Sequence, residues 1–194
     1  MAQPRWFTAH GEGHAKWYIE RFRRLAAEGS DLAGEARLVD AVVSPRSRIL
    51  DAGCGTGRVG GELFRRGHTV VGVDIDPELI DAARIDHPGP TWRVADLADL
   101  HLDEPPFDAA VVVGNVLVFV APGSEAEVMA GIARHVRRDG VVLTGFRLTD
   151  EYQLAAFDAH CRAAGLHLEH RFATWDLRPW REDADFAVSL LRRH

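Results

Sequence analysis

From residue 47 onward, short runs of β-branched residues alternate with stretches in which apolar positions recur at helical spacing. SRILDAG (47–53) reads as a strand, and GRVGGELFRRG (57–67) as a helix with Val59, Leu63 and Phe64 on one face and Gly67 as its stop. HTVVGVDID (68–76) is a second strand and PELIDAARIDH (77–87) a second helix, capped by Asp76 with Pro77 in its first turn. A third strand falls at TWRVAD (91–96) and a fourth at FDAAVVVGN (107–115). GSEAEVMAGIARHVRRDG (123–140) predicts a helix opening on a Ser124-x-x-Glu127 capping box and closing on Gly140, before the fifth strand VVLTGF (141–146).

Strands apolar on both faces and separated by helical crossovers predict an α/β fold: a doubly wound, Rossmann-like parallel sheet with helices on each side. Past residue 150 the pattern changes. TDEYQLAAFDAHCRAAG is a helix, and LHLEHRFATWD and DFAVSLLRR are strands joined by the short DLRPWREDA, too short for a crossover, so the last two strands are antiparallel. Two helices, GHAKWYIERFRRLAAEG (13–29) and LAGEARLVDAVV (32–43), precede the first strand and are placed to fold over the sheet's carboxyl edge.

The 194 residues suit one domain: an N-terminal helical cap (1–46), a core (47–147) and a C-terminal helix with its antiparallel hairpin (148–194). The net charge is −6, Lys16 is the single lysine, and the arginines occur as scattered pairs such as Arg23-Arg24 and Arg137-Arg138 among acids. No basic stripe that would follow a phosphate backbone is present, which argues against nucleic acid as a partner. Cys54 and Cys161 lie far apart, and the N-terminal residues lack an apolar leader, so a reduced cytoplasmic setting is expected. The longest apolar stretch, Ala109 to Ala121, is interrupted by Gly114 and Asn115 and falls short of the ~20 residues that span a bilayer, so no membrane association is expected.

The candidate chemistry lies in ILDAGCGTGR (49–58), where Asp51 ends the first strand and Gly53, Gly55 and Gly57 follow at alternating positions. In a doubly wound sheet, ligands bind beyond the carboxyl ends of the strands, and glycines there let the backbone approach a ligand closely. A turn serving packing alone is the competing reading. Gly55 to Gly60 also satisfies the dinucleotide pattern GxGxxG, and the acid ending the second strand, Asp74, suits the ribose of either a dinucleotide or another nucleoside. Two acids discriminate. Asp51 would repel a pyrophosphate but attract an ammonium group, directly or through water, and Asp96, after the third strand, is placed to accept from an adenine amine.

ILDAGCGTG, VVGVDID, the ADL of residues 95–97 and FDAAVVVGN, at these spacings, resemble the class I S-adenosylmethionine-dependent methyltransferases, of the small-molecule type, over residues 47–147. The resemblance implies a seven-stranded sheet in the order 3-2-1-4-5-7-6 and S-adenosyl-L-methionine as cofactor. It places Asp51, Ala52, Gly53, Cys54, Gly55 and Gly57 at the methionine part, Asp74 at the ribose and Ile75 on the adenine face. Asp96 and Leu97 then meet the adenine edge, and Gly114 and Asn115 border the methyl group and the amino-acid carboxylate. Taken singly, Asp51 is equally a cap or turn-former, and Asp96 a loop Asx-turn. Arg58, a cation set against the positive end of a helix, is a candidate for the cofactor carboxylate; Arg147 is a weaker one.

Methyl transfer is an in-line displacement that needs alignment and exclusion of water more than a catalytic side chain. A general base helps a hydroxyl or ammonium acceptor, and His14 and Tyr18 are the candidates, on a segment where Trp17 is a further lid residue. The alternative is a plain amphipathic helix packed on the sheet, which is preferred for the histidines. His10 and His14 have no evident third ligand, so no metal site is expected. Glu35 either faces the site or pairs with an arginine, and Phe172, Trp175 and Trp180 either wall a pocket or pack an edge. GNVLVF around Asn115 lacks the Asn-Pro-Pro-Tyr/Phe motif of base-amine methylation, and no insertion offers a separate substrate domain, so the expected acceptor is a small molecule. A non-catalytic cofactor-binding partner protein is the second reading, and a nicotinamide-dependent oxidoreductase the last.

Overall fold

The computed structural model describes residues 2–9, 11 and 13–194. Helices α1 (Arg5–Thr8), α2 (His14–Ala27) and α3 (Gly34–Val42) precede β1 (Arg48–Ala52). The alternation then runs α4 (Arg58–Arg65), β2 (Thr69–Asp74), α5 (Pro77–Asp86), β3 (Thr91–Val94) and, after a short 3-10 turn at Leu97–Asp99, β4 (Phe107–Val112). It is completed by α6 (Val116–Phe119), α7 (Glu125–His135), β5 (Val136–Arg147), α8 (Leu154–Ala163), β6 (Leu166–Phe172) and β7 (Phe186–Arg193). Among the described residues, no helix is long and apolar enough to cross a membrane.

The seven strands form one sheet in the order β3-β2-β1-β4-β5-β7-β6, with β7 antiparallel to both β5 and β6 and the other pairs parallel. Successive side chains of a strand point to opposite faces, so one continuous apolar run feeds two cores. Leu50, Val71, Ala110 and Val112 pack with Met129, Ile132, Phe146 and Phe157 on one face. Ile49, Val70, Ala109 and Val111 pack with Val39, Val59 and Leu63 on the other.

Two local expectations are corrected, and one short helix is added. α7 ends at His135 rather than running to Gly140, because Val136 leaves the helix to pair with Phe107, and a register shift before Ala109 absorbs the turn in which Asp139 is left-handed (φ 58°). His135 holds that helix end, its Nδ1 within 2.7 Å of the Gly131 carbonyl and its Nε2 accepting from the Leu102 N–H. Ser124 forms no capping box; its hydroxyl donates to the Ala121 carbonyl instead. α1 is too short to announce itself by periodicity. At α5 the expected cap is present, with Asp76 Oδ1 accepting from the Glu78 N–H at 2.9 Å.

Trp92 of β3 shapes the ground beneath the glycine turn. Its indole, tied by Nε1–H to the His87 carbonyl at 2.9 Å, lies over Gly72, its register partner in β2. A Cβ at Gly72 would sit 2.2 Å from the indole, and one at Gly57 or Gly60 would sit 2.9 Å from it. Gly72→Ala is therefore expected to lower stability by about 1–3 kcal/mol through overpacking of a buried ring. Urea unfolding checks this, and a midpoint equal to that of the parent protein would show that the indole gives way freely.

Candidate active site

A cavity of about 390 Å3 lies at the carboxyl ends of the central strands, within the usual range for a small-molecule site. Its floor comes from the sheet: Gly53 and Gly55 after β1, Asp74 and Ile75 ending β2, Asp96 and Leu97 after β3, and Gly114 and Asn115 after β4. Its roof comes from the N-terminal helices, which contribute Trp6, His14, Trp17, Tyr18, Arg21 and Phe22, while Val116 and Phe119 of α6 close one side.

Asp74 organises the floor. Its Oδ2 accepts from the Gly55 N–H at 2.8 Å and its Oδ1 from the Asp76 N–H at 3.0 Å, so one carboxylate ties the glycine turn to the end of β2. Burial pushes its carboxyl up to about 6, against the opposing effect of those backbone donors. Asp96 does two things at once: it faces the cavity, and its Oδ1 accepts from the Ala98 N–H in the Asx-type turn that is the ordinary fate of such a residue. Gly53 has φ +77°, and a Cβ there would lie 2.3 Å from Val116, so the turn and α6 meet only because that position is bare. Asn115, itself left-handed at φ 65°, accepts at Oδ1 from the Arg147 N–H and so fixes the start of α6 to the end of β5.

Several residues expected around the cofactor lie behind the cavity wall. Asp51, Ala52, Cys54, Gly57 and Arg58 are not part of the lining. Gly57 serves the packing of Trp92, and Cys54 is buried against the same indole, its thiol pushed well up by desolvation. Arg58 is committed elsewhere: it forms a two-pronged pair with Glu35 at 2.8 and 2.5 Å and donates to the Leu32 carbonyl at 2.8 Å. Glu35 is thereby the partner of an arginine and does not face the cavity. Asp51 is fully buried, with Oδ2 accepting from the Gly60 N–H at 2.8 Å and Oδ1 without a partner among the described residues. Desolvation pushes its carboxyl up to about 7.

The roof is aromatic. His14 lies 4.7 Å from Trp6 and stacks on Trp17 at 5.4 Å between ring centroids. Tyr18 packs on Trp6 and Phe22, and a Cβ on Gly55 would lie 3.5 Å from its ring and 3.7 Å from its hydroxyl oxygen. Trp6, which nothing in the sequence singled out, donates from Nε1 to Asp76 Oδ2 at 2.8 Å and meets Phe119 edge-on. Arg5 pairs with Glu125 at 3.3 Å. These contacts fasten α1 across the cleft. Of this roof, His14, Trp17 and Tyr18 were expected from the sequence; Phe22 was not, although it continues the four-residue spacing of His14 and Tyr18. Trp175 and Phe172 instead join the apolar core on one face of the sheet, Trp180 lies against Arg171, and Arg147 pairs with Asp185 away from the cavity. No group of three His, Cys, Asp or Glu side chains able to hold a metal occurs among the described residues, and His10 lies outside them.

Residues 49–140 match the methyltransferase-domain family. The crystal structure of a TehB-like S-adenosylmethionine-dependent methyltransferase from Corynebacterium glutamicum is similar at TM-score 0.90 and 40% identity, over 95% of this chain and 100% of that one. The chain belongs to the class I S-adenosylmethionine-dependent methyltransferases. A magnesium-protoporphyrin O-methyltransferase from Rhodobacter capsulatus is 37% identical over 54% of this methyltransferase-family chain and 48% of its own length. A ubiquinone biosynthesis O-methyltransferase from Xylella fastidiosa is 30% identical over 71% of this chain and 68% of its own. The chain spans about half the length of the first of these relatives.

The cavity fits the family's cofactor, S-adenosylmethionine. Bare backbone at Gly53 and Gly55 admits close approach, and Asp74 keeps lone pairs beyond those its two backbone donors use. Asp51 holds a buried oxygen still lacking a donor.

Proposed function

We propose that the protein transfers a methyl group from S-adenosylmethionine to a small, largely apolar acceptor inside this cavity. The observation that carries the reading is the roof: α1 and α2 lay Trp6, Tyr18, Phe22 and their neighbours over the glycine turn, leaving a compartment of small-molecule size. The two curated relatives described above are named for porphyrin and ubiquinone chemistry, both involving ring systems, in keeping with an aromatic-walled acceptor site.

In this reading Asp74 accepts from the ribose hydroxyls, Ile75 and Leu97 flank the adenine, and Asp96 accepts from its amine. Asp51, behind the turn, supplies the negative charge facing the amino-acid ammonium. Gly114 and Asn115 border the reacting end. The bound cofactor supplies an electrophilic methyl on a sulfonium centre. The protein aligns the acceptor with it, and the aromatic roof keeps water from competing. His14, packed against Trp6 and Trp17 in the roof, is the candidate base for a hydroxyl acceptor, with the Tyr18 hydroxyl as an orienting hydrogen-bond partner.

Calorimetric titration with S-adenosylmethionine, S-adenosylhomocysteine and NAD, followed by an assay of S-adenosylhomocysteine formation over phenols, catechols and porphyrin acids, tests this. Micromolar binding of the two sulfur compounds, none of NAD and turnover with a ring acceptor are expected. Cofactor binding without turnover on any acceptor class would favour the non-catalytic binding protein.

A further inference from the structure

We infer that Arg21 of α2 is the cation that receives the α-carboxylate of the cofactor, an inference that rests on the S-adenosylmethionine reading of the cavity. The amino-acid end of that cofactor is a zwitterion, and placing it in a cavity away from bulk water calls for a charge opposite each of its ends. Asp51 answers the ammonium; the carboxylate needs a cation.

The cations suggested by sequence are not available for it. Arg58 is engaged by Glu35 and the Leu32 carbonyl and does not line the cavity, and Arg147 is paired with Asp185 outside it. Arg21 does line the cavity, and it has no carboxylate partner among the described residues. Its guanidinium lies 5.6 Å from the ring centroid of Trp17 and 5.6 Å from that of Phe22. Such stacking orients the group without consuming its in-plane N–H donors, which leaves a planar fork matched to a carboxylate.

Position along the groove points the same way. The strand order places the ends of β3 and β2, with Asp96, Leu97, Ile75 and Asp74, at one end of the cleft, and the ends of β1 and β4 at the other. Tyr18 marks the second end, since its hydroxyl oxygen would lie 3.7 Å from a Cβ on Gly55 and 3.8 Å from one on Gly114. Arg21 follows Tyr18 by three residues on the same helix, which sets the two side chains on one face of α2 above the cavity that both line.

The experiment compares the binding of S-adenosylhomocysteine and of its decarboxylated analogue, 5′-deoxy-5′-(3-aminopropylthio)adenosine, to the parent protein, Arg21→Met and Arg21→Lys. Met retains the apolar stem while removing the donors. The Met variant is expected to bind S-adenosylhomocysteine roughly 10- to 100-fold more weakly, the range for a lost charge-assisted hydrogen bond, and to bind the analogue like the parent. The Lys variant should recover part of the loss. Unchanged binding of S-adenosylhomocysteine by Arg21→Met overturns the inference, including the case in which the variant instead raises the KM for an acidic acceptor. Equal loss for both ligands overturns it too, by showing a structural role. Failure of the parent protein to bind S-adenosylhomocysteine at all would instead overturn the cofactor reading beneath it.

Discussion

Asp74→Ala is expected to lower the affinity for S-adenosylhomocysteine by at least about 100-fold, the combined effect of losing two hydrogen bonds from ribose hydroxyls to a charged acceptor. The same change reaches the site by a second route. Asp74 accepts from the N–H groups of Gly55 and Asp76, and without it both donors lose their carboxylate partner and the glycine turn loses its tie to β2. A donor left unsatisfied in a buried setting costs about 1–3 kcal/mol, so the variant should also melt earlier. Asp74→Asn separates the two routes: its amide oxygen still accepts, so the turn is partly held while the charge is gone. An intermediate affinity is expected. Calorimetry beside thermal unfolding checks both, and an Asp74→Ala protein that bound S-adenosylhomocysteine within threefold of the parent would remove Asp74 from the cofactor site.

Asp51→Asn is expected to act in opposite directions on stability and binding. Burial raises the folded-state carboxyl of Asp51 to about 7, above its ordinary value of 3.8, so the unliganded fold favours the neutral acid. The folded state then holds more protons than the unfolded chain between these values. Stability from this group falls as pH rises from about 4 through about 7, and the loss is complete above that. Asp74, raised to about 6, adds to the same trend over a lower window. In the proposed reading the cofactor ammonium pairs with the ionised form, so binding should release a proton near pH 6.5 and strengthen toward pH 8. Asn removes the charge that the unliganded fold must bury. At pH 8 the unliganded variant should melt higher than the parent, bind S-adenosylhomocysteine roughly tenfold or more weakly, and lose much of the pH dependence. Titrations in buffers of differing ionisation heat count the proton. Equal release by parent and variant would assign the titration to another group.

The course of the sheet was legible along the chain. Alternation of β-branched runs with amphipathic stretches marks βαβ units because the periods 2 and 3.6 are properties of local backbone geometry. The short DLRPWREDA connection was enough to make β6 and β7 antiparallel, since a crossover needs more chain. The glycine turn after Asp51 and the acid ending β2 were equally visible, as strand ends in such a sheet converge on one edge whatever the details of packing.

Contacts between distant segments were not legible. Nothing local says that Glu35 will take Arg58 away from the cavity, that Trp6 will reach Asp76 seventy positions along, or that one indole at Trp92 will need Gly57, Gly60 and Gly72 to be bare. Val136 likewise follows a good helical pattern but is worth more paired with Phe107 than continuing α7. By itself, the sequence determined the order of the strands and of the longer helices, the edge of the sheet that carries the site, and the family. Tertiary structure alone decided which of the acids and arginines face the cavity and which are spent on one another, because pairwise charge and close packing depend on distances that only the assembled chain sets.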